Sequence, residues 1–260
     1  MGPAARRAAL YYLPSALALL ALLGAWHALV VGLGIKPFIL PGPGAAIAAL
    51  GEARFAWGSN LIATLLAVLG AFVASAVLGV ALAVAVVWDG RVERTLLPLL
   101  VLFNTLPKIA LAPLFLLWLG YGVVPNILIG VAVAFFPMVV NTAVGLRAVD
   151  PDLLALVQAM RATRWQVLAK IRFPNALPYI FAGLKLNASM SVVGAIVGEF
   201  VASERGLGAV IMTAGVTLDT AAIFAALILI SALGLALYGL VVLAERRLTP
   251  WEAPGGDAVT

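Results

Sequence analysis

Two ionisable side chains, Lys108 and Glu199, stand inside long apolar runs. A lysine at the centre of a bilayer-spanning helix costs roughly 2.5–3.5 kcal/mol on insertion scales, so it must face water or a partner. Lys108 lies about thirteen residues into its run. It follows Pro107, whose ring nitrogen donates no hydrogen bond and so frees carbonyls nearby. Two readings are open. Either Lys108 lines a solute route, drawing an anion or pairing with Glu199, or it is structural, satisfied by carbonyls or by snorkelling through a kinked span. Asn104, Thr105, Asn141, Thr142, Asn187, Ser189 and Ser191 are among the other polar groups in these runs. Such groups line a route or join helices, the second role being worth about 0.6 kcal/mol on average. Asn104, Lys108, Asn187 and Glu199 form the candidate path set. Nothing points to catalysis or a metal: there is no Cys, His27 is the single histidine, and no carboxylate pair or Ser/His/Asp set is visible. The sequence also lacks Gly-x-x-x-x-Gly-Lys-Ser/Thr, so it has no phosphate cradle of that kind.

The elements that must position these groups follow from composition. Of 260 residues, 64% are apolar and 10% are charged, against roughly 25% charged in a soluble domain. The mean hydropathy is +1.15. These values exclude a soluble domain, a disordered chain, a collagen and a coiled coil, and leave an all-α membrane protein. A helix needs about 20 residues to cross the hydrocarbon core. Six runs qualify: Leu13 to Leu33, Leu61 to Val87, Thr95 to Leu119, Val123 to Leu146, Leu177 to Val201 and Thr220 to Ala244. The third carries Pro98, Pro107 and Pro113. Between the runs we expect a loop over 35–60 with a short surface helix at 44–55, and a charged turn at 89–94. A Gly-rich loop is expected at 203–219 and a disordered tail at 249–260.

Six spans place both termini on one side. Twelve of the sixteen Lys and Arg residues fall on that side, and only Lys36, Arg54 and Arg205 on the other. The positive-inside rule then makes both termini cytoplasmic, and it accounts for the net charge of +5 without nucleic acid. A cleavable signal peptide is rejected for the first run, which is too long and has no small-x-small site after it.

The segment 147–175 is polar and basic, and it is patterned. Asp150, Pro151 and Asp152 read as a helix start. Leu153, Leu156, Val157 and Met160 share a helical face. Thr163 and Gln166 have capping-box spacing, so a second short helix starts near Arg164, with Trp165, Leu168 and Ile171 on its apolar side and Phe173-Pro174 as its stop. Such a basic, amphipathic helix-turn-helix either lies in the headgroups or docks a soluble partner, for which Trp, Met and Arg suit a hot spot.

The run from Arg161 to Pro178, with Ile171-Arg172-Phe173-Pro174 in place, resembles the cytoplasmic EAA loop of bacterial ABC importer permeases. Ala155 stands where that family has Glu, and Arg161 where it has Gly. A left-handed turn that Gly makes freely costs Arg about 1 kcal/mol. Two further stretches, Leu106 to Gly122 and Val197 to Gly208, resemble signatures of the nitrate/sulfonate/taurine-type permeases, as does Leu40-Pro-Gly-Pro43.

The resemblance implies a type I importer permease fold (MetI-like) with six transmembrane helices and a cytoplasmic coupling loop, in a bacterial inner membrane. It implies a non-catalytic subunit, paired with a second copy. ATP would be held by separate cytoplasmic ATPases, and solute delivered by a periplasmic binding protein. The solute would be a nitrate-, sulfonate- or taurine-like anion, or a nutrient such as a pyrimidine precursor. ATPase coupling falls to Ala155, Val157, Met160, Arg161, Ala162, Thr163, Arg164, Trp165 and Leu168, unless the apolar members pack back onto the permease. The chain divides into 1–59 (N-terminal end, first span and loop), a five-helix core at 60–248 with the loop at 147–175, and the tail. A self-sufficient secondary transporter or channel, or a membrane scaffold for a soluble partner, stays as an alternative.

Overall fold

The computed structural model describes the backbone of residues 3–251, which is helical with no strand among the described residues. It divides into two compact units. One holds residues 1–57 and 210–229; the other holds 58–209 and 230–260. Among the described residues, four helices are long and apolar enough to cross a membrane, and a sharply bent pair makes a fifth if counted as one span.

In the first unit, α1 covers Pro3–Gly32 and α2 covers Pro43–Ala49. The expected surface helix at 44–55 is shorter and broken. α2 ends at Ala49, and a 3-10 turn at Ala53–Phe55 follows, closed by Ala56 at φ 42°. Arg54 bridges Glu52 and Asp219, and Trp26 packs on Phe224.

The second unit is built on α3 (Trp57–Trp88), α6 (Val123–Arg147) and α9 (Phe173–Ala202). Along α3, Ala67, Ala71, Ser75, Gly79 and Ala83 recur every fourth residue, and all are buried. Lipid supplies no hydrophobic drive between helices, so association rests on close packing of such small residues. Gly130 of α6 meets Ala71 of α3 on one side and Gly194 of α9 on the other, closer than a Cβ would permit. One core gathers Ala67, Val68, Ala188, Val192 and Leu237; a second gathers Ala83, Phe135, Met138, Leu146 and Leu168.

Four expectations are corrected. The charged turn at 89–94 is helical: Asp89 accepts from the Arg91 N–H at 2.7 Å and caps α4 (Gly90–Thr105). The third run is not one straight span. α4 stops at Thr105, a 3-10 turn covers Lys108–Leu111, and α5 (Ala112–Leu119) departs at 84°. Leu106 precedes proline and is extended at ψ 138°, as the Pro107 ring demands. The 203–219 loop contains a helix, α10 (Leu207–Val216). Thr249, expected to open the tail, instead bonds back to the Glu245 carbonyl at 2.8 Å and closes α11 (Thr220–Leu248). Most of the expected tail, 252–260, lies outside the described residues.

Candidate functional site: an exposed helical hairpin and a buried clasp

The 147–175 segment forms the expected pair of short helices, α7 (Pro151–Ala159) and α8 (Arg164–Val167). Asp150 caps α7 by accepting from the Asp152 N–H at 2.8 Å. The capping box is complete: Gln166 N donates to Thr163 Oγ1, and Thr163 N donates to Gln166 Oε1. Between the helices Arg161 has φ 56°. The left-handed turn is therefore kept although its residue is not glycine, and the strain of roughly 1 kcal/mol is borne beside the cap.

The stop at Phe173-Pro174 does not occur. α8 runs through a π-helical turn, Leu168–Arg172, into α9, giving one apolar helix from Arg164 to Val201. Pro174 supplies no N–H and its ring crowds the preceding turn; a wider turn accommodates both. The base of the segment is tied down. Arg147 pairs with Glu93 at 2.9 Å, Arg172 donates to the Leu146 carbonyl, and Asn175 donates to Ala148 O.

The candidate coupling residues separate into three groups. Met160 is 73% exposed and Trp165 65%, and Ala155, Arg161, Thr163 and Arg164 are exposed as well. Val157 and Ala162 are partly covered. Leu168 is buried in the second core and faces the permease itself. Trp165 also lies against Trp88 at the end of α3, ring centroids 6.2 Å apart.

The four candidate path residues separate in the same way. Lys108 Nζ donates to Asn104 Oδ1 at 2.6 Å and to the Asn104 carbonyl at 3.2 Å, across the break that Pro107 creates. It does not pair with Glu199. Asn187 is buried: its Oδ1 accepts from Ser75 and Ser191, and its Nδ2 donates to the Phe72 carbonyl. It joins α9 to α3.

Glu199 is also buried, at the far end of α9. Its Oε2 accepts from Thr64 Oγ1 at 3.0 Å and from the Gly208 N–H at 2.7 Å. The Leu207 N–H goes to Thr64 Oγ1 and the Gly206 N–H to Asn60 Oδ1, both at 2.8 Å. Three successive N–H groups at the start of α10 are thus received by three side chains from α3 and α9. The first N–H groups of a helix have no partner within it, and acceptors there also meet the favourable end of its dipole. Gly206 has φ 120°, and a Cβ on it would run into the Glu199 carboxyl. We call this arrangement the clasp.

Sequence reading missed Asn60, Thr64, Ser75 and Trp88. Asn60 and Thr64 sit at the start of a run and look like ordinary flanking polar residues. Only the Gly-Leu-Gly after Glu199 hinted that backbone approaches a side chain there. Beside the clasp is a cavity of about 470 Å³ lined in part by Tyr121, Asn126, Glu204 and Arg205. Asn126 Oδ1 is buried there without a partner.

Small-residue packing of long apolar helices and a proline-broken span define a polytopic helical membrane protein. The profile of the binding-protein-dependent transport system inner membrane component family matches residues 75–250. The riboflavin transport system permease protein RibX of Chloroflexus aurantiacus is 37% identical over 242 residues, 90% of this chain and 88% of that protein. The formylaminopyrimidine transport permease protein ThiX of Halalkalibacterium halodurans is 34% identical over 220 residues, 84% and 87%. Among solved structures, a chain of the MetNI methionine ABC transporter in an inward-facing conformation matches with a TM-score of 0.52. It is 22% identical and covers 74% of this chain and 94% of that one, a likeness of fold.

The chain belongs to the binding-protein-dependent transport system inner membrane component family. It is an ABC importer permease of the nitrate/sulfonate/taurine type and a non-catalytic subunit.

Proposed function

We propose that this chain is the membrane-spanning half of an ATP-driven importer. Two copies form the route, two cytoplasmic ATPases bind and hydrolyse ATP, and a periplasmic binding protein delivers the solute. Six spans are counted by taking α1 as the first and the bent α4–α5 pair as the third. Residues 1–59 carry the first span and its loop, and 60–248 the five-helix core. The charge asymmetry orients both termini to the cytoplasm. The solute is small, either a sulfonate- or taurine-like anion or a nutrient related to the riboflavin and formylaminopyrimidine named for the relatives.

One observation carries this reading. Met160 and Trp165 are exposed on a hairpin whose base is fixed by Leu168. An apolar and aromatic surface on a tethered element needs a covering partner. Arg161 and Arg164 beside it suit acidic groove residues on an ATPase, with Ala155, Val157, Ala162 and Thr163 shaping the contact. Leu168 acts from within, as the root.

Along the route, Asn104 and Lys108 at the broken span are the residues that meet solute, while Asn187 and Glu199 hold its walls together. Lys108→Met should abolish uptake at equal expression, and unchanged uptake would remove Lys108 from the route. The reading as a whole is tested by co-purification with a candidate cognate ABC ATPase from the same operon. Wild type should retain it and the double variant Trp165→Ala, Arg164→Glu should lose it. A folded wild-type protein that binds no ATPase in detergent or lipid would sink the reading.

A further inference from the structure

The two sites described above are joined by a single helix. α3 ends at Trp88, which touches Trp165 of the hairpin, and near its start Asn60 and Thr64 hold the backbone of residues 206 and 207. At 1.5 Å per residue, Thr64 and Trp88 are about 36 Å apart along the axis. We propose that α3 is a lever that carries movement of the coupling hairpin, received at Trp88, to the clasp at the start of α10. This rests on the importer reading above.

Stiffness favours α3 over the covalent route. α9 is continuous with the hairpin, but the π turn at Leu168–Arg172, Pro174 and Pro178 all lie between the two. Each is a place where a helix bends. α6 carries Pro137, and α4–α5 is broken outright. α3 contains no proline in its 32 residues. A helix without a kink passes a push at one end to the other; a kinked helix dissipates it in the bend.

The packing provides a pivot. The single Ser75 hydroxyl proton is shared between Asn187 Oδ1 at 2.7 Å and the Ala71 carbonyl at 2.6 Å, and with the bond from Asn187 Nδ2 to the Phe72 carbonyl it ties α3 to α9 in the buried interior. Ser75 lies about 20 Å from Trp88 and about 17 Å from Thr64 along the axis. Around it the contact surface is Ala71, Gly79 and Ala83, and the Met138 side chain seated against Gly79 opposes sliding of α3 along α6, so that α3 tilts about this point. A displacement at Trp88 then appears with similar size and opposite sense at Thr64. The clasp is built to respond. Thr64 Oγ1 is shared between the Leu207 N–H and Glu199, so moving Thr64 loosens both bonds together. Trp88 is therefore a positioning residue. Trp165 has two duties, one surface for the ATPase and an edge for Trp88.

The test uses the complete transporter, permease with ATPases and binding protein, in proteoliposomes. Trp88→Ala should keep the ATPases bound and basal ATP hydrolysis unchanged. Stimulation of hydrolysis by loaded binding protein should vanish and uptake should fall at least tenfold. Trp88→Phe should restore at least half of both. Since the chain has no Cys, spin labels at Ser59→Cys and Arg205→Cys, placed on the permease before assembly with the other subunits and diluted with unlabelled permease, report the distance across the clasp. That distance should change between the nucleotide-free and ATP-trapped states, and the change should disappear in Trp88→Ala. Wild-type stimulation and uptake in Trp88→Ala would overturn the proposal. So would loss of the ATPases from it, which would make Trp88 part of the docking surface. Failure of the unmodified permease to bind ATPases would instead strike the importer reading.

Discussion

The hairpin and the clasp solve one problem in opposite ways. Each must satisfy the first N–H groups of a helix, since no helix can do so from within. The hairpin uses neighbours in sequence: Asp150 serves Asp152, and Thr163 and Gln166 serve each other across three residues. The clasp uses residues far away: Asn60 and Thr64 reach 206 and 207 from more than 140 positions earlier. The hairpin is exposed, where water can replace a lost bond. The Glu199 and Thr64 bonds of the clasp are buried, where nothing can. A cap written locally can move as a unit and dock elsewhere, whereas a cap assembled from three elements binds those elements to one another.

The sharpest way to break this contrast is Gly206→Ala. The new Cβ meets the Glu199 carboxyl and demands φ 120° of a residue with a side chain. Displacing that carboxyl leaves buried donors unpaired, at about 1–3 kcal/mol each. We expect a loss of about 3 kcal/mol or more, read as a collapse in thermal stability of purified protein in detergent. If Gly206→Ala melts like wild type, the clasp is not a structural tie.

A smaller effect is expected midway along α3. Ser75→Ala and Asn187→Leu, alone and together, form a double-mutant cycle. Polar ties between membrane helices average about 0.6 kcal/mol and reach about 1.7. We expect a coupling energy inside that range, and zero coupling would remove the pivot.

In the hairpin, Thr163→Ala removes one half of the capping box. The expected cost is about 1 kcal/mol, confined to the segment. Hydrogen exchange should quicken over 164–168 while the global melting temperature holds. A global loss matching that of Gly206→Ala would erase the difference between the two regions.

The smallest effect is Arg161→Gly. Glycine adopts φ 56° without the Cβ penalty. The relief of strain, roughly 1 kcal/mol, is partly offset by greater freedom of glycine in the unfolded chain. We expect slower local exchange at 158–163 together with weaker ATPase retention, because the Arg161 charge is lost from the docking face. Faster exchange would show that the arginine itself holds the turn.

Legibility followed the same division. The hairpin could be read at residue level because its caps are made within four positions of each other. The long apolar helices could be read because length and hydropathy are summed along the chain. The continuation of α8 into α9 was misread, since Phe173-Pro174 looks like a stop and only the surrounding packing selects a π turn there. The helix at 207–216 was hidden behind glycines that serve the clasp. Glu199 and Asn187 stood out as polar residues in apolar runs, yet their type alone did not separate a solute contact from a helix tie.

The sequence by itself determined a helical membrane protein, its charge asymmetry and the caps of its exposed hairpin. Those depend on composition and on neighbours a turn apart. Tertiary structure alone decided that Glu199 closes the start of α10, that Lys108 turns to Asn104, and that Trp165 meets Trp88. Each choice compares partners distant in the chain, and in a medium without water a buried polar group takes whichever partner the packing brings within reach.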